Sequence, residues 1–122
     1  MKITDFAYVY YPVSDIPKAR AFYETVLGLK ATSTWGDDKQ GWFEYEVGPH
    51  TLAISNFMDE TKSTGSGPVL ALEIEDYEDA IKDLKAKGVP FDKESSETPV
   101  CHFASILDPS GNRLFIHKRK PA

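Results

Sequence analysis

The sequence is poor in cysteine, since Cys101 is the one thiol among its 122 residues. One thiol cannot form an internal disulfide or a multi-thiolate metal site, which excludes disulfide-stapled scaffolds and zinc fingers. No apolar run approaches the roughly 20 residues that a membrane helix needs, and the first residues lack the charged-then-apolar layout of a signal peptide. We therefore expect a cytoplasmic protein that has no membrane partner.

Basic charge is also scarce, because 14 lysines and arginines face 19 aspartates and glutamates, for a formal net charge of -5. Nucleic-acid binding needs a concentrated basic face. The densest basic run is the tail at residues 118–120, which we interpret as a solvated terminus and not as a binding patch. The sequence thus argues against nucleic acid as a partner.

What the chain does have is a repeated pattern, in which an apolar strand leads through an aspartate into an amphipathic helix. In the first half, a strand over residues 6–13 precedes Asp15, and a helix over residues 16–27 ends at Gly28. Pro17 falls in the first turn of that helix, where helix geometry tolerates it. Aspartate before a helix and glycine after it are typical helix boundaries.

The second half repeats these signals with a strand over residues 69–74, the aspartate Asp76, helical positions at 80–85 and a terminating Gly88. The two aspartates, like the two glycines, are about half the chain apart. Such spacing indicates a duplicated unit.

Shorter strand-like runs bounded by turn residues follow each helix. They cover residues 30–35, 41–47 and 51–56 in the first half and residues 91–94, 100–107 and 113–117 in the second. We therefore predict an α+β fold of two βαβββ modules with mixed sheets. The predicted bounds are module one at about 1–60, a connector at about 61–68 and module two at about 69–122, forming one domain because each module alone would leave a sheet face wet.

Alternation along the first strand of each module assigns its side chains to two faces. The side chains expected under the helices are Val9, Tyr11 and Val13, then Leu70, Leu72 and Ile74. Those expected on the opposite, concave face are Tyr8 and Tyr10, then Val69, Ala71 and Glu73.

Two segments carry a family likeness. Residues 13–29 resemble the V-x-D-x-x-x-A-x-x-F-Y-x-x-x-L-G-L opening of vicinal-oxygen-chelate proteins, the glyoxalase, bleomycin-resistance and extradiol-dioxygenase superfamily. Residues 108–114 resemble the D-P-x-G-N-x-L turn before the last strand of these proteins. With the duplicated layout, the resemblance covers nearly the whole chain. It implies curved sheets around a cleft, frequently in a homodimer, and in the enzymes a divalent metal that polarises substrate oxygens.

The resemblance also implies where histidine or glutamate ligands for that metal would stand. The corresponding positions hold Tyr8 and Val69 on the first strands, Phe115 on the last strand, and a residue close to Ala53 in the first half. None of these is a usual donor for a divalent ion. We therefore expect no cofactor, with a shifted or rearranged metal site left as the alternative.

The same alternation, oriented by the resemblance, predicts a cleft that is aromatic with a few polar groups, as small-molecule pockets are. The candidate ligand-binding residues are Tyr8, Tyr10, Trp42, Glu44, Glu73, Cys101, Phe103, Ser105, Phe115 and His117. An equally open interpretation is that the aromatic side chains simply fill the core.

The candidate catalytic residues are Glu44, Glu73 and His117, because a histidine that reaches a carboxylate can carry a proton near neutral pH. The competing interpretation makes His117 a solvent-facing residue at a strand end. Glu73 lies among apolar strand residues, so we expect it to have a partner such as Arg113, a bound cation or a raised pKa. We interpret Cys101 as a small buried filler, since no base or helix start accompanies it.

Three functions remain open at this point. The first is a metal-free protein that binds or sequesters a small cationic or aromatic molecule in an acidic cleft. The second is a lyase, isomerase or dioxygenase with a displaced metal site or with glutamate–histidine acid–base chemistry. The third is an interaction module whose cleft is filled by its own aromatic side chains. The sequence leaves open whether the protein is an enzyme, and we expect a homodimer.

Overall fold

The computed structural model describes residues 1–57 and 69–121, so the predicted connector at 61–68 lies outside the described residues. The chain divides into two compact units, Met1–Ser63 and Thr64–Ala122, which contain module one and module two. The elements of module one are β1 (Val9–Pro12), α1 (Ile16–Arg20) continued by a π-helix (Ala21–Val26), β2 (Ala31–Gly36), β3 (Gly41–Val47) and β4 (His50–Ser55). Those of module two are β5 (Leu70–Glu73), α2 (Tyr77–Ala86), β6 (Phe91–Glu97), β7 (Cys101–Leu107) and β8 (Arg113–Arg119).

Each module contains a mixed sheet of four strands. The strand order is β1-β4-β3-β2 in module one and β5-β8-β7-β6 in module two. In both sheets the first strand pairs in parallel with the last, and the other neighbours are antiparallel. The predicted α+β class and its two βαβββ modules are confirmed.

The first helix begins as the sequence predicts and then changes its winding. Asp15 Oδ1 accepts a hydrogen bond from the Lys18 backbone N–H at 3.0 Å, which satisfies one of the unpaired donors of the first turn. Beyond Arg20 the helix continues as a π-helix, which has more residues per turn and therefore brings sequence neighbours closer together around the axis. The adjacent Phe22 and Tyr23 are both buried there. Gly28, at a φ of 73°, ends the helix in the left-handed region.

The core of module one lies between this helix and one face of its sheet. Tyr23 stacks on Tyr45 with ring centroids 5.9 Å apart, and the Tyr45 hydroxyl donates to Glu24 Oε2 at 2.9 Å. Burial, followed by this bond to Glu24, raises the pKa of the Tyr45 phenol, so it remains a neutral donor. Of the stripe predicted under the helix, Tyr11 and Val13 are buried.

The core of module two lies under α2, whose buried side chains are Tyr77, Ile81 and Leu84. The buried sheet residues on that side are Ala104, Ile106, Leu114 and Ile116. The predicted stripe on β5 is shallower than expected, because Leu70, Leu72 and Ile74 are only half-buried.

The start of α2 differs from that of α1, although both follow an aspartate. The Asp76 side chain makes no capping hydrogen bond, and its backbone has a ψ of 56°, outside the extended region that Asp15 occupies at 103°. The prediction of two equivalent caps is therefore wrong for the second helix. Acidic residues in the first turn, Glu78 and Asp79, favour this helix start through the helix dipole.

The turn before β8 explains the D-P-x-G-N pattern. The buried Asp108 accepts the backbone N–H groups of Ser110 and Asn112 at 2.9 and 2.8 Å, and Asn112 Nδ2 donates to its other oxygen at 2.8 Å. Gly111 has a φ of 86°, which a side chain would disfavour. The turn fixes where β8 enters the sheet.

Most strand boundaries lie within two residues of the prediction, and two strands differ from it by three residues at one end. The strand predicted over residues 6–13 is shorter, because the parallel ladder with β4 runs only from Val9 to Pro12. The strand predicted over residues 91–94 instead runs to Glu97, with irregular register on both sides of Lys93. Among the described residues, no helix is both long and apolar enough to cross a membrane.

The difference between the two helix starts gives a matched pair of substitutions. We expect Asp15→Ala to lower the free energy of unfolding by about 1 kcal/mol, because a side-chain cap is lost. Asp76→Ala should lower it by less than about 0.5 kcal/mol, because no such bond is removed. Urea denaturation of both variants measures this, and equal losses would contradict the assignment of the caps.

Candidate functional site

The helix-free side of the module one sheet carries a cluster that we call the acidic aromatic face: Tyr8, Tyr10, Trp42 and Glu44. The Tyr10 ring stacks on Trp42 with centroids 5.4 Å apart and planes inclined by 17°. Tyr8 meets the same indole edge-on, also at 5.4 Å. Strand register brings them together, because Tyr10 and Glu44 both pair with Ala53 from opposite sides.

Glu44 is tied to this cluster by a hydrogen bond. The Trp42 indole N–H donates to Glu44 Oε2 at 2.8 Å, and both residues are half-buried. A carboxylate can accept several hydrogen bonds, so Glu44 can accept others in addition to the one from Trp42. Indole is also the strongest of the natural cation–π partners. The cluster therefore combines a fixed aromatic surface with a negative charge, which suits an aromatic cation.

The helix-free side of the module two sheet carries a second cluster, which we call the histidine face: Glu73, Phe103, Phe115 and His117. The Phe103 and Phe115 rings are in contact, with centroids 5.9 Å apart. The ammonium of Lys93 lies 5.6 Å from the Phe103 ring centroid. The sequence did not predict Lys93 here. This face is aromatic like the first, but it carries the Lys93 ammonium as well as a carboxylate.

Glu73 and His117 form the closest polar contact on the histidine face. Glu73 Oε1 lies 2.6 Å from His117 Nδ1, and Glu73 Oε2 accepts the Arg119 backbone N–H at 2.7 Å. The backbone bond, followed by the bond to His117, lowers the pKa of the Glu73 carboxyl. The histidine is therefore partnered by Glu73 and is not simply a solvent-facing strand end.

Glu73 has a partner, as expected, but the partner is His117 and not Arg113. Arg113 instead pairs with Asp92, through Nε and Oδ2 at 2.6 Å. Glu73 and His117 are register partners, whereas Arg113 is further along β8 by about 13 Å at strand spacing. The alternative of a raised Glu73 pKa is contradicted, because its hydrogen bonds to the Arg119 backbone and to His117 lower that pKa.

Cys101 and Ser105 lie on the same side of β7 but are buried, at 9% and 2% exposure. Cys101 Sγ lies 3.2 Å from the Thr98 hydroxyl, which also accepts the Cys101 backbone N–H. These contacts agree with the interpretation of Cys101 as a small filler. Ligand binding by either residue stays a prediction.

The positions at which relatives would hold a metal do not fit one. Tyr8 packs edge-on against Trp42, Phe115 packs against Phe103, Ala53 is buried, and Val69 offers no donor. Within residues 1–57 and 69–121, no group of three or more His, Cys, Asp and Glu side chains is placed to hold a metal ion. Function without a metal remains a prediction.

An open depression of about 340 Å³, which the sequence analysis did not predict, lies at the start of α2. It is lined by Glu75, Asp76, Tyr77, Glu78, Asp79, His102 and Lys118. Acidic groups at a helix start are stabilised by the helix dipole, which accounts for their presence without a ligand.

Comparison with known proteins gives a consistent result. The profile of the Glyoxalase/Bleomycin resistance protein/Dioxygenase superfamily matches residues 5–116. No curated protein matches the chain in sequence.

Solved structures share the fold. An antibiotic binding protein from a Streptomyces species has a TM-score of 0.78 and 22% identity, covering 98% of this chain and 99% of its own. The trypanothione-dependent glyoxalase I of Leishmania major has 0.77 and 22%, covering 95% and 87%. The fosfomycin resistance protein of Listeria monocytogenes has 0.76 and 15%, covering 98% and 96%. At these identities the likeness shows the fold alone.

The lowered pKa of Glu73 predicts a pH dependence of stability. A carboxyl group whose pKa is lower in the folded protein stabilises it above the ordinary value, here 4.5, and loses that contribution as pH falls through the folded value. We expect the difference in unfolding free energy between the wild type and Glu73→Gln to shrink as pH falls from about 5 to about 3. Urea denaturation across this range measures it. Glu46→Gln, at an exposed position of β3, is the control, and a difference for Glu73→Gln that does not change with pH would contradict the prediction.

Proposed function

The chain belongs to the glyoxalase/bleomycin resistance protein/dioxygenase superfamily, and we propose that it binds a small aromatic cation on its acidic aromatic face, without a family-type metal. The observation that carries the proposal is the Tyr10–Trp42 stack with Glu44 bonded to the indole N–H. Both the aromatic surface and the charge of the ligand would then be recognised by one module.

The energetics favour a cation over a neutral ring. A cation over a tryptophan face gains roughly 0.5–2 kcal/mol, depending on how far it is desolvated. The half-buried Glu44 adds an attraction that is less screened than that of a fully exposed charge. Glu46, two residues along β3, adds a further negative charge by alternation on the same side. A neutral analogue would gain the stacking but not these electrostatic contributions.

The comparisons support this proposal through the shared fold, but they do not identify the ligand. An antibiotic binding protein and a fosfomycin resistance protein have the same fold, but a fold does not determine a ligand. The choice of an aromatic cation rests on this chain's own tyrosines, tryptophan and glutamate.

The proposal predicts a charge-dependent affinity that calorimetric titration can measure. We expect the protein to bind N-methylquinolinium more tightly than quinoline, its neutral counterpart near pH 8. Glu44→Gln should weaken binding of the cation about tenfold, or about 1.4 kcal/mol, and leave quinoline nearly unaffected. Trp42→Ala should weaken both ligands, because the stacking surface is lost.

The control for that titration is Glu78→Gln, which removes an equal charge from an exposed helix position in the other module. It should bind both ligands as the wild type does. If Glu44→Gln and Glu78→Gln lower the affinity for N-methylquinolinium equally, only net charge matters and the assigned face is wrong.

If the protein works without a family-type metal, its thermal stability should not depend on divalent ions. We expect the protein, purified and dialysed against a chelator, to keep its melting temperature, because no bound ion contributes to folding. Addition of nickel, zinc, manganese or iron should not raise it. A stoichiometric ion bound through Glu44, Glu73 or His117 would contradict the prediction.

A second candidate function is a small-molecule enzyme of the lyase, isomerase or dioxygenase type. The Glu73–His117 contact of 2.6 Å supports its acid–base form, because a histidine oriented by a carboxylate is suited to proton transfer.

We further propose that the chain forms a homodimer and acts in the cytoplasm. Exposed apolar side chains such as Phe6, Trp35 and Val100 support the dimer, which sedimentation would test.

A further inference from the structure

We infer that His117 is a general base positioned by Glu73, and that its substrates are carbon acids whose C–H lies between two carbonyl groups, which the protein isomerises between keto and enol forms. This inference rests on the second candidate function, acid–base catalysis, and names its base and its class of substrate. It concerns the histidine face and is independent of cation binding on module one.

The geometry fixes which nitrogen of His117 can act. Glu73 Oε1 lies 2.6 Å from Nδ1, and an ionised carboxylate only accepts hydrogen bonds. Nδ1 therefore carries the ring proton, and Nε2 keeps the lone pair that can remove a proton from a substrate. The His117 side chain is 26% exposed, so the ring is accessible while still held in place.

Both carboxylate oxygens of Glu73 make hydrogen bonds, so its side chain holds the His117 ring in one orientation. The Arg119 backbone N–H donates to Oε2 at 2.7 Å, so the carboxylate cannot rotate without breaking a second bond. The same bonds lower the pKa of Glu73 and keep the group ionised at neutral pH. Glu73 is thus a positioning residue, whereas His117 would be the catalytic one.

The groups around the imidazole fit an organic substrate. Phe103 is the register partner of His117 on β7 and contacts Phe115, which gives an apolar surface beside the base. The ammonium of Lys93 lies 5.6 Å from the centroid of the Phe103 ring, and its positive charge would favour an enolate that develops on this face. The ionisable groups described on this face are Glu73, Lys93, Cys101, Arg113, His117 and Arg119, together with Asp92, which is paired with Arg113.

The proposed step is a balanced proton transfer that needs no co-reactant. His117 Nε2 accepts the proton from the central carbon, and the C–H electron pair forms a carbon–carbon double bond while one carbonyl becomes an enolate. The imidazolium then returns the proton to the enolate oxygen, which gives the enol and restores the neutral ring. Reversal returns the proton to the carbon.

The strength of the base limits the class of substrate. General-base catalysis is efficient when the proton donor and acceptor are not far apart in acidity. An imidazole is a moderate base, and a C–H beside a single ketone is a much weaker acid than one between two carbonyls, whose enolate is delocalised. Compounds of the 1,3-dicarbonyl type therefore fit the pair best.

The test is proton exchange from ethyl methylacetoacetate, whose central C–H lies between a ketone and an ester. Loss of its proton NMR signal in deuterated buffer measures the rate. We expect the wild type to exceed the buffer rate by about a hundredfold, the lower range of acid–base catalysis. His117→Gln should return the rate to that of buffer, and Glu73→Gln should lower kcat about tenfold or more with little change in KM. The controls are His50→Gln and Glu78→Gln, which lie outside this face and should react as the wild type does.

Nitrogen NMR of the His117 ring separates the inference from the function on which it rests. We expect an Nδ1–H tautomer in the wild type and its loss in Glu73→Leu, because leucine removes the acceptor for that proton. If this tautomer is absent from the wild type, the pair is not a base and the second candidate function fails as well. If it is present but exchange stays at the buffer rate, the substrate class is wrong and the inference is overturned alone. Titration of the same sample with N-methylquinolinium reports separately on the first proposed function.

Discussion

The rest of the structure depends on the parallel pairing of the first and last strands in each module. Val9–Pro12 pairs with Leu52–Ser55, and Leu70–Glu73 pairs with Leu114–His117. A slip of one residue in either ladder would reverse which side chains face the helix. Tyr10 would then enter the core of module one, and Glu73 would separate from His117 in module two. The buried Asp108 turn helps to fix the second ladder, because it determines where β8 begins.

The two modules have the same strand order but helix-free faces of different chemistry. Module one presents stacked aromatic rings around a carboxylate bonded to an indole N–H. Module two presents two phenylalanines beside a carboxylate bonded to an imidazole, with a lysine over one ring. The same strand order thus carries different side chains on the helix-free faces of the two modules. The two proposed functions accordingly rest on different faces of the same chain.

The sequence was sufficient for the fold and for the membership of both faces wherever strands are regular. Alternation grouped Trp42 with Glu44, and the βαβββ repeat followed from the helix boundaries. Lys93 was missed because β6 shifts register on both sides of it, so strict alternation along the strand does not predict which face its side chain occupies. The support of Glu73 by Arg119 was missed because the donor is a backbone N–H, which residue identity does not reveal. Asp76 was misread because capping depends on backbone angles that an aspartate alone does not determine.

The missing side-chain cap on α2 has a consequence for where local unfolding of module two begins. The first N–H groups of a helix have no partner within it, and without a cap they exchange with water more readily. Small local openings of module two should therefore begin at Tyr77 and spread toward Ala86, whereas α1 is fastened at its first turn by Asp15. The two halves of a duplicated chain would then differ in the order in which their amide hydrogens are replaced by deuterium, despite their shared topology.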